Sequence, residues 1–410
     1  MIYLDNAATT RICDEALEEM MPFLKEEYAS PLGQYALGFR ANSALNTARG
    51  RVAALIGADV SEIIFTSCAT ESNNLFLRGL IRNLLNAGTD PAHKSISIVT
   101  QTTEHASVLN TCEDIAREYD RVRLIKVPVD RNGFVNEAAY REALKERPDV
   151  VSIMHVNNET GAVNDIKNLC GLAHEAGAIF HTDAVQSVPH MRVNVREIGV
   201  DALSVSGHKL HGPKGSGFLY LRKGVIIKPL LTGGGQENGL RSGTPDVAAC
   251  VGLGKACEVL ADRLIPDTNA ALAADRFAQV IKEVLPHAIV NRPTGSDVSY
   301  YDPNRDLCEQ SSKLYLREIV SVSIPGGDAL SLIHDLDMAG ICCSSGAACS
   351  AGKKGVSHVL TAMGIGEKLA KGTLRFSFSR YNTEEEATEA AVIVGRVVQK
   401  NLENHGILFK

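Results

Sequence analysis

Ser204-Val205-Ser206-Gly207-His208-Lys209 closes a mostly apolar run that begins at Val200 and reads as a short buried strand. The lysine opens a turn-rich stretch, Leu210-His211-Gly212-Pro213-Lys214-Gly215. An amine at the mouth of a buried strand is desolvated, which lowers its pKa and suits it to a Schiff base with a carbonyl cofactor. A solvated lysine after a strand is the plain alternative. The company that Lys209 keeps decides between the two.

Outward from that stretch one pattern repeats. Ala178 to His181 reads as a strand that runs into Thr182-Asp183-Ala184-Val185-Gln186-Ser187. Val150 to Met154 runs into Asn157-Asn158-Glu159-Thr160-Gly161, and Ile96 to Val99 into Thr102-Thr103-Glu104-His105. Ile63 to Thr66 runs into Ser67-Cys68-Ala69-Thr70-Glu71-Ser72, small and hydroxyl residues at a strand-to-helix turn. Such a turn offers backbone N–H groups and a helix dipole to a phosphate. Helices are expected from a cap at Asp14, over Ala41–Leu55, over Leu75–Leu85, from Ala106, from Asp165 to a stop at Gly177, and over Asp246–Leu264. Strands alternating with helices predict an α/β fold with a mostly parallel sheet. Thr70, His105, Asn158, Asp183, Gln186 and Lys209 all fall just past strand C-terminal ends, the edge where such sheets bind ligands. Singly each has a plain reading: Thr70 or Ser72 as an N-cap, His105 as a satisfied polar group, Asp183 as a turn residue. Six on one edge point to a ligand, with Asp183 of the type that pairs with a cationic ring nitrogen.

The rest of the chain adds a second domain. At 410 residues, two cores are expected. A glycine-rich loop, Thr232 to Thr244, precedes the long helix but no Rossmann-type unit. Gly295 to Lys313 is polar and reads as an exposed excursion. Ser321 to Gly326 and Leu374 to Ser379 read as strands, with a terminal helix from Thr383. Cys349 lies in Ser344-Ser345-Gly346-Ala347-Ala348-Cys349-Ser350-Ala351-Gly352-Lys353-Lys354. Two lysines in an open loop favour a thiolate. Cys342 and Cys343 have a strand-like setting instead, and a metal site of these three cysteines lacks a fourth ligand. The 45% apolar and 22% charged residues and the net charge of −6 describe a soluble globular protein. No basic block points to nucleic acid, no apolar run to a membrane, and the N-terminus does not read as a signal peptide. The 10 cysteines form no disulfide framework and suggest reduced thiols in a cytoplasm.

The motifs now in hand resemble one family. Tyr3-Leu4-Asp5-Asn6-Ala7-Ala8-Thr9-Thr10, Ala69-Thr70-Glu71-Ser72-Asn73-Asn74, Thr103-Glu104-His105, His155-Val156-Asn157-Asn158-Glu159-Thr160-Gly161, Asp183-Ala184-Val185-Gln186-Ser187, Ser206-Gly207-His208-Lys209, Arg241-Ser242-Gly243-Thr244 and Ser344-Ser345-Gly346-Ala347-Ala348-Cys349 occur in order. They are similar to those of the pyridoxal-phosphate cysteine desulfurases of the NifS/IscS group, within the class V aminotransferases. The resemblance implies the fold type I architecture of such enzymes: a large domain over 15–262, and a small α+β domain from 1–14 and 263–410 that carries the cysteine loop, about 342–357. It implies a homodimer with pyridoxal 5'-phosphate on Lys209. Ala69, Thr70, Ser206, His208 and the other subunit's Thr244 would hold the phosphate. His105 would stack on the ring, Asp183 pair with its nitrogen and Gln186 with its phenolic oxygen. Asn158 and Arg375 would hold the substrate carboxylate.

The implied reaction turns L-cysteine into alanine. Lys209 moves the α-proton, and Cys349 takes the sulfur as a persulfide for an acceptor protein such as an iron–sulfur scaffold or a tRNA-thiolation carrier. Three positions depart from the family pattern: Ser30 stands for asparagine, Tyr35 for histidine and Asn238 for arginine. With the 295–313 excursion they bear on substrate and acceptor choice. A lyase acting on cystine, selenocysteine or a specialised sulfur amino acid is the alternative enzyme. A non-catalytic scaffold has no use for Lys209, Asp183, His105 and Cys349 together.

Overall fold

A computed structural model describes residues 1–87, 95–263, 269–292, 298–302, 313–346 and 356–407. Seven strands form its central sheet in the order Ile63–Thr66, Gly217–Leu221, Ala202–Ser206, Ile179–Asp183, Val150–Ser152, Ile96–Gln101, Val122–Val127. Gly217–Leu221 alone runs against the others. Five of these strands, including Ala202–Ser206, are buried along their whole length, because helices cover both faces. The expected α/β fold with a mostly parallel sheet is thus the observed one. Asp183 is the last residue of its strand and pairs in register with Ser204.

Three helix starts differ from expectation, the helix expected from Ala41 beginning at Ala36. Asp14 is the first helical residue and not the cap; Cys13 holds that place without a side-chain bond, and Asp14 pairs with Arg11 at 2.6 Å. The helix expected from Leu75 begins at Ala69. Its first turn is polar and so escapes apolar spacing, yet Glu71 accepts from Ser67 N at 2.8 Å and Ser72 meets Thr66 Oγ1 at 2.8 Å. Thr70 and Ser72 therefore sit inside the helix and not at its cap.

A second apolar core gathers Leu4 with side chains between residues 270 and 402. Its antiparallel sheet has the order Ile289–Val290, Ile319–Ser323, Thr373–Ser377, Ser344–Ser345. Two short strands, not expected from composition, stand among the described residues at the excursion. Val298–Tyr300 pairs with Lys313–Tyr315, and the latter with Ala162–Val163. Tyr301 is buried, and its hydroxyl accepts from Arg192 N at 3.2 Å. Residues 5–8 tie the two cores together: Asn6 Nδ2 donates to Ser377 O at 2.9 Å and Ala7 N to Ser377 Oγ at 2.8 Å. Among the described residues no helix is long and apolar enough to cross a membrane.

Candidate active site

The carboxyl edge of the central sheet opens into a cavity of about 430 Å³. Ala69, Thr70, His105, Asn158, Asp183, Gln186, Ser206, His208, Lys209 and Arg375 all line it. Two expected residues are not among them. Thr244 lines a separate recess of about 140 Å³ with Ser67 and Arg241. Cys349 lies outside the described residues, as do Lys353 and Lys354.

Lys209 ends a single helical turn, Gly207–Lys209, that follows the strand Ala202–Ser206. Its ammonium donates to the main-chain oxygens of Ala7 and Ala8, the latter at 2.6 Å. Gln186 Nε2 donates to the same Ala7 oxygen at 2.9 Å. His208 Nδ1 meets Thr9 Oγ1 at 3.1 Å. Burial, with the charges of Lys209 and Lys214, pushes the His208 pKa down to about 4 and leaves a neutral imidazole at pH 7.

Asp183 and His105 are linked through two neutral side chains. Asn73 Nδ2 donates to Asp183 Oδ2 and to Ser107 Oγ, each at 2.9 Å. Ser107 Oγ in turn lies 2.8 Å from His105 Nδ1, and Ser107 N donates to that nitrogen at 3.1 Å. Nδ1 is thereby the acceptor, which places the imidazole proton on Nε2. Val185 N donates to the other Asp183 oxygen at 3.1 Å. The carboxylate and the ring thus hold fixed orientations.

At the opposite wall Arg375 is almost fully buried. One guanidinium nitrogen donates to Asn158 O at 2.9 Å, another to Asp5 Oδ1 and Ser344 Oγ, both at 2.9 Å. Its Nε has no hydrogen-bond partner among the described residues, and neither has the buried Ser206 Oγ. Orphaned buried donors are rare and mark places where a ligand belongs.

Glu159 is a buried acid in the cavity wall, and a second buried acid, Glu104, precedes His105. Glu104 accepts from Gln101 Nε2 at 2.9 Å and from Met154 N at 2.5 Å; burial holds its carboxyl well above the usual carboxylate range. Burial likewise raises Glu159, opposed by the Ser357 hydroxyl and the charges of His358, Arg375 and His105. Sequence reasoning assigned no role to Asn73, Ser107, Glu104, Glu159 or Asp5. Asn73 had a readable signal, since it falls one turn after Ala69 and Thr70 on the same helix face. The oxygens of Ala7 and Ala8 had none, being main-chain atoms.

The family model for class-V aminotransferases matches residues 2–389. A cysteine desulfurase from Cereibacter sphaeroides is 40% identical over 401 residues, covering 97% of this chain and 96% of that protein. The cysteine desulfurase NifS of Azotobacter vinelandii is 39% identical over 387 residues, 94% of this chain and 89% of that one. The solved structure of a NifS-like protein superposes with a TM-score of 0.83 at 33% identity, over 97% of this chain and 99% of the other. A motif set spread along the whole sequence, a type I sheet and full-length likeness agree: the chain belongs to the class-V aminotransferase family, among the cysteine desulfurases of the NifS/IscS group.

Proposed function

We propose that the chain is a pyridoxal-phosphate cysteine desulfurase that forms alanine from L-cysteine and takes the sulfur on Cys349. The observation that carries this is one cavity holding an amine, a fixed carboxylate, an oriented imidazole and a buried guanidinium. The residues present fit the cofactor. The cavity is of small-ligand size. The unpartnered Ser206 hydroxyl and the N-terminus of the helix Ala69–Ala87 suit a phosphate. Ala69, Thr70, Ser206, His208 and the partner subunit's Thr244 would hold that phosphate, Asp183 the ring nitrogen, Gln186 the phenolic oxygen, and His105 the ring face. Lys209 would carry the cofactor's carbonyl carbon. When bound, the cofactor supplies an electron sink for charge left on the substrate α-carbon.

The chain's own residues do the rest. Arg375 and Asn158 fix the substrate carboxylate, and Asp5 and Ser344 keep the guanidinium in place for it. Lys209 Nζ accepts the α-proton and returns a proton to the product. The Cys349 thiolate attacks the substrate sulfur; the S–S bond forms as the Cβ–S bond breaks. L-cysteine and one thiol become alanine and one persulfide, so atoms and electrons balance.

A homodimer is supported by exposed apolar side chains between residues 24 and 39, namely Leu24, Tyr28, Leu32, Tyr35 and Phe39. A sulfur-acceptor protein, such as an iron–sulfur scaffold, is the partner that a persulfide requires. The eight described cysteines are all free thiols, in keeping with a reducing cytoplasm. The two apolar cores support a large domain over 15–262 and a small one from 1–14 and 263–410, except that Cys13, Tyr301, Leu314 and Leu316 pack in the large domain's core.

Product analysis tests the reading. Protein, cofactor, L-cysteine and a thiol reductant are expected to give alanine and sulfide in equal amounts, and Cys349→Ser to give neither. Pyruvate and ammonia, indifferent to that substitution, would assign a lyase instead.

A further inference from the structure

Glu159 sits on a turn that its neighbour makes rigid. Asn157 Oδ1 accepts from Glu159 N at 2.9 Å and from Thr160 N at 3.0 Å, and Asn157 Nδ2 donates to Thr103 O at 3.1 Å. From that turn the Glu159 side chain, 4% exposed, enters the cavity wall beside Gly346 and His358. One oxygen, Oε2, accepts from Ser357 Oγ at 2.5 Å. The same oxygen lies against Gly346, where an added Cβ would overlap it. Gly346 and Ser357 flank, in sequence, the stretch that carries Cys349. Each is also tied to the body of the protein. Ser344–Ser345 pairs with Leu374 and Arg375, and His358 Nε2 donates to Glu104 O at 3.0 Å.

We propose that Glu159 is a positioning residue for sulfur transfer: one buried carboxyl oxygen clasps Ser357 and Gly346 and so fixes where the Cys349 stretch leaves the cavity wall and where it returns. The inference rests on the desulfurase reading. The clasp holds Gly346 and Ser357 at fixed places on the wall. It also sets the origin from which the thiol must reach the substrate sulfur. Ser357 has a second duty, since its hydroxyl accepts from Val359 N and Leu360 N at the start of the helix His358–Ala362. The test must separate clasp from cap.

Aspartate caps a helix as well as serine does but donates nothing to a carboxylate. In the holoenzyme, Ser357→Asp and Ser357→Ala are expected to lower kcat about tenfold to a hundredfold, the scale of a misplaced reacting group. KM and the L-cysteine dissociation constant, read from the cofactor absorbance, are expected to change less than about twofold, since substrate binding leaves the clasp alone. Ser357→Thr keeps the hydroxyl and is expected to stay near wild type. Gly346→Ala is expected to lower kcat in the same way, and Gly346→Ala with Glu159→Asp to recover part of the loss, because the shorter acid vacates the space the methyl takes. Thermal melts identify any variant that does not fold, and the Ser357 series then decides alone. Ser357→Asp as active as wild type would leave only a helix cap and overturn the clasp. If wild type forms no alanine, or forms it without Cys349, the desulfurase reading fails and takes the clasp with it. Alanine from wild type with an indifferent Ser357→Asp sinks the clasp alone.

Discussion

Asn73 shows how much a neutral side chain can govern. Its amide gives one hydrogen to Asp183 and the other to Ser107, and through Ser107 it sets the His105 tautomer. Asn73→Ala leaves the Asp183 oxygen without that donor, at a cost of about 1–2 kcal/mol. Cofactor affinity, followed by fluorescence titration, is expected to fall about tenfold, and Asn73→Asp to fall further because it sets a second carboxylate beside Asp183. Asp5 acts on Arg375 in the same indirect way. Asp5→Asn keeps the side-chain shape but loses the charge that holds the guanidinium. KM for L-cysteine is expected to rise about fivefold or more, with a smaller effect on kcat. Residues that touch the ligand were legible in the sequence because chemistry restricts their type: Lys209, Asp183, His105 and Arg375 all line the cavity. Residues that hold them, Asn73 and Asp5, were legible only as parts of motifs, since any short polar side chain reads alike until its neighbours are known.

At the scale of elements, strands were read more accurately than helix starts. Ile63–Thr66 stands where its apolar run puts it, since both of its faces are buried and no other element suits it. The helix Ala69–Ala87 begins earlier than its apolar spacing because its first turn faces the cavity and carries polar side chains. The strands Val298–Tyr300 and Lys313–Tyr315 were missed for a related reason, since a three-residue strand is too short to show alternation. Helix packing makes its own demand. The helices Ala36–Ile56 and Val247–Arg263 approach closely at Gly254, where an added Cβ would lie 2.6 Å from the Ala48 Cα. Gly254→Ala is expected to destabilise the protein by about 1–3 kcal/mol in urea unfolding, and activity at low temperature to survive in the folded fraction.

The whole molecule responds to pH through its buried histidines. Burial pushes His155 down to about 4 and His181 to about 3, and His208 follows to about 4. An unfolded chain protonates each near 6.5. Between those values the unfolded state binds more protons, so stability falls as pH drops below 6.5. Each fully buried histidine contributes about 1.4 kcal/mol per pH unit to that fall. Glu104, raised by burial, works with the opposite sign: its contribution is full below its ordinary pKa and is lost as pH rises through the folded value. The urea midpoint of the cofactor-free protein is expected to drop steeply from pH 7 to pH 5, and His155→Gln to flatten the drop.

The tie between residues 5–8 and the second core bears on how the protein is made. Asn6 and Ser377 are 371 positions apart. Asn6 and Ala7 are made long before the strand Thr373–Ser377 that anchors them. A nascent chain can assemble the central sheet, with Lys209, Asp183 and His105 in place and Thr9 and Thr10 against His208, while Asn6 and Ala7 still lack their Ser377 anchor. The lining of the cavity is complete only once His358 and Arg375 have been made. A chain cut short before Thr373 is thus expected to keep Lys209, Asp183 and His105 on the central sheet but to lack Arg375 and the Ser377 anchor of Asn6 and Ala7.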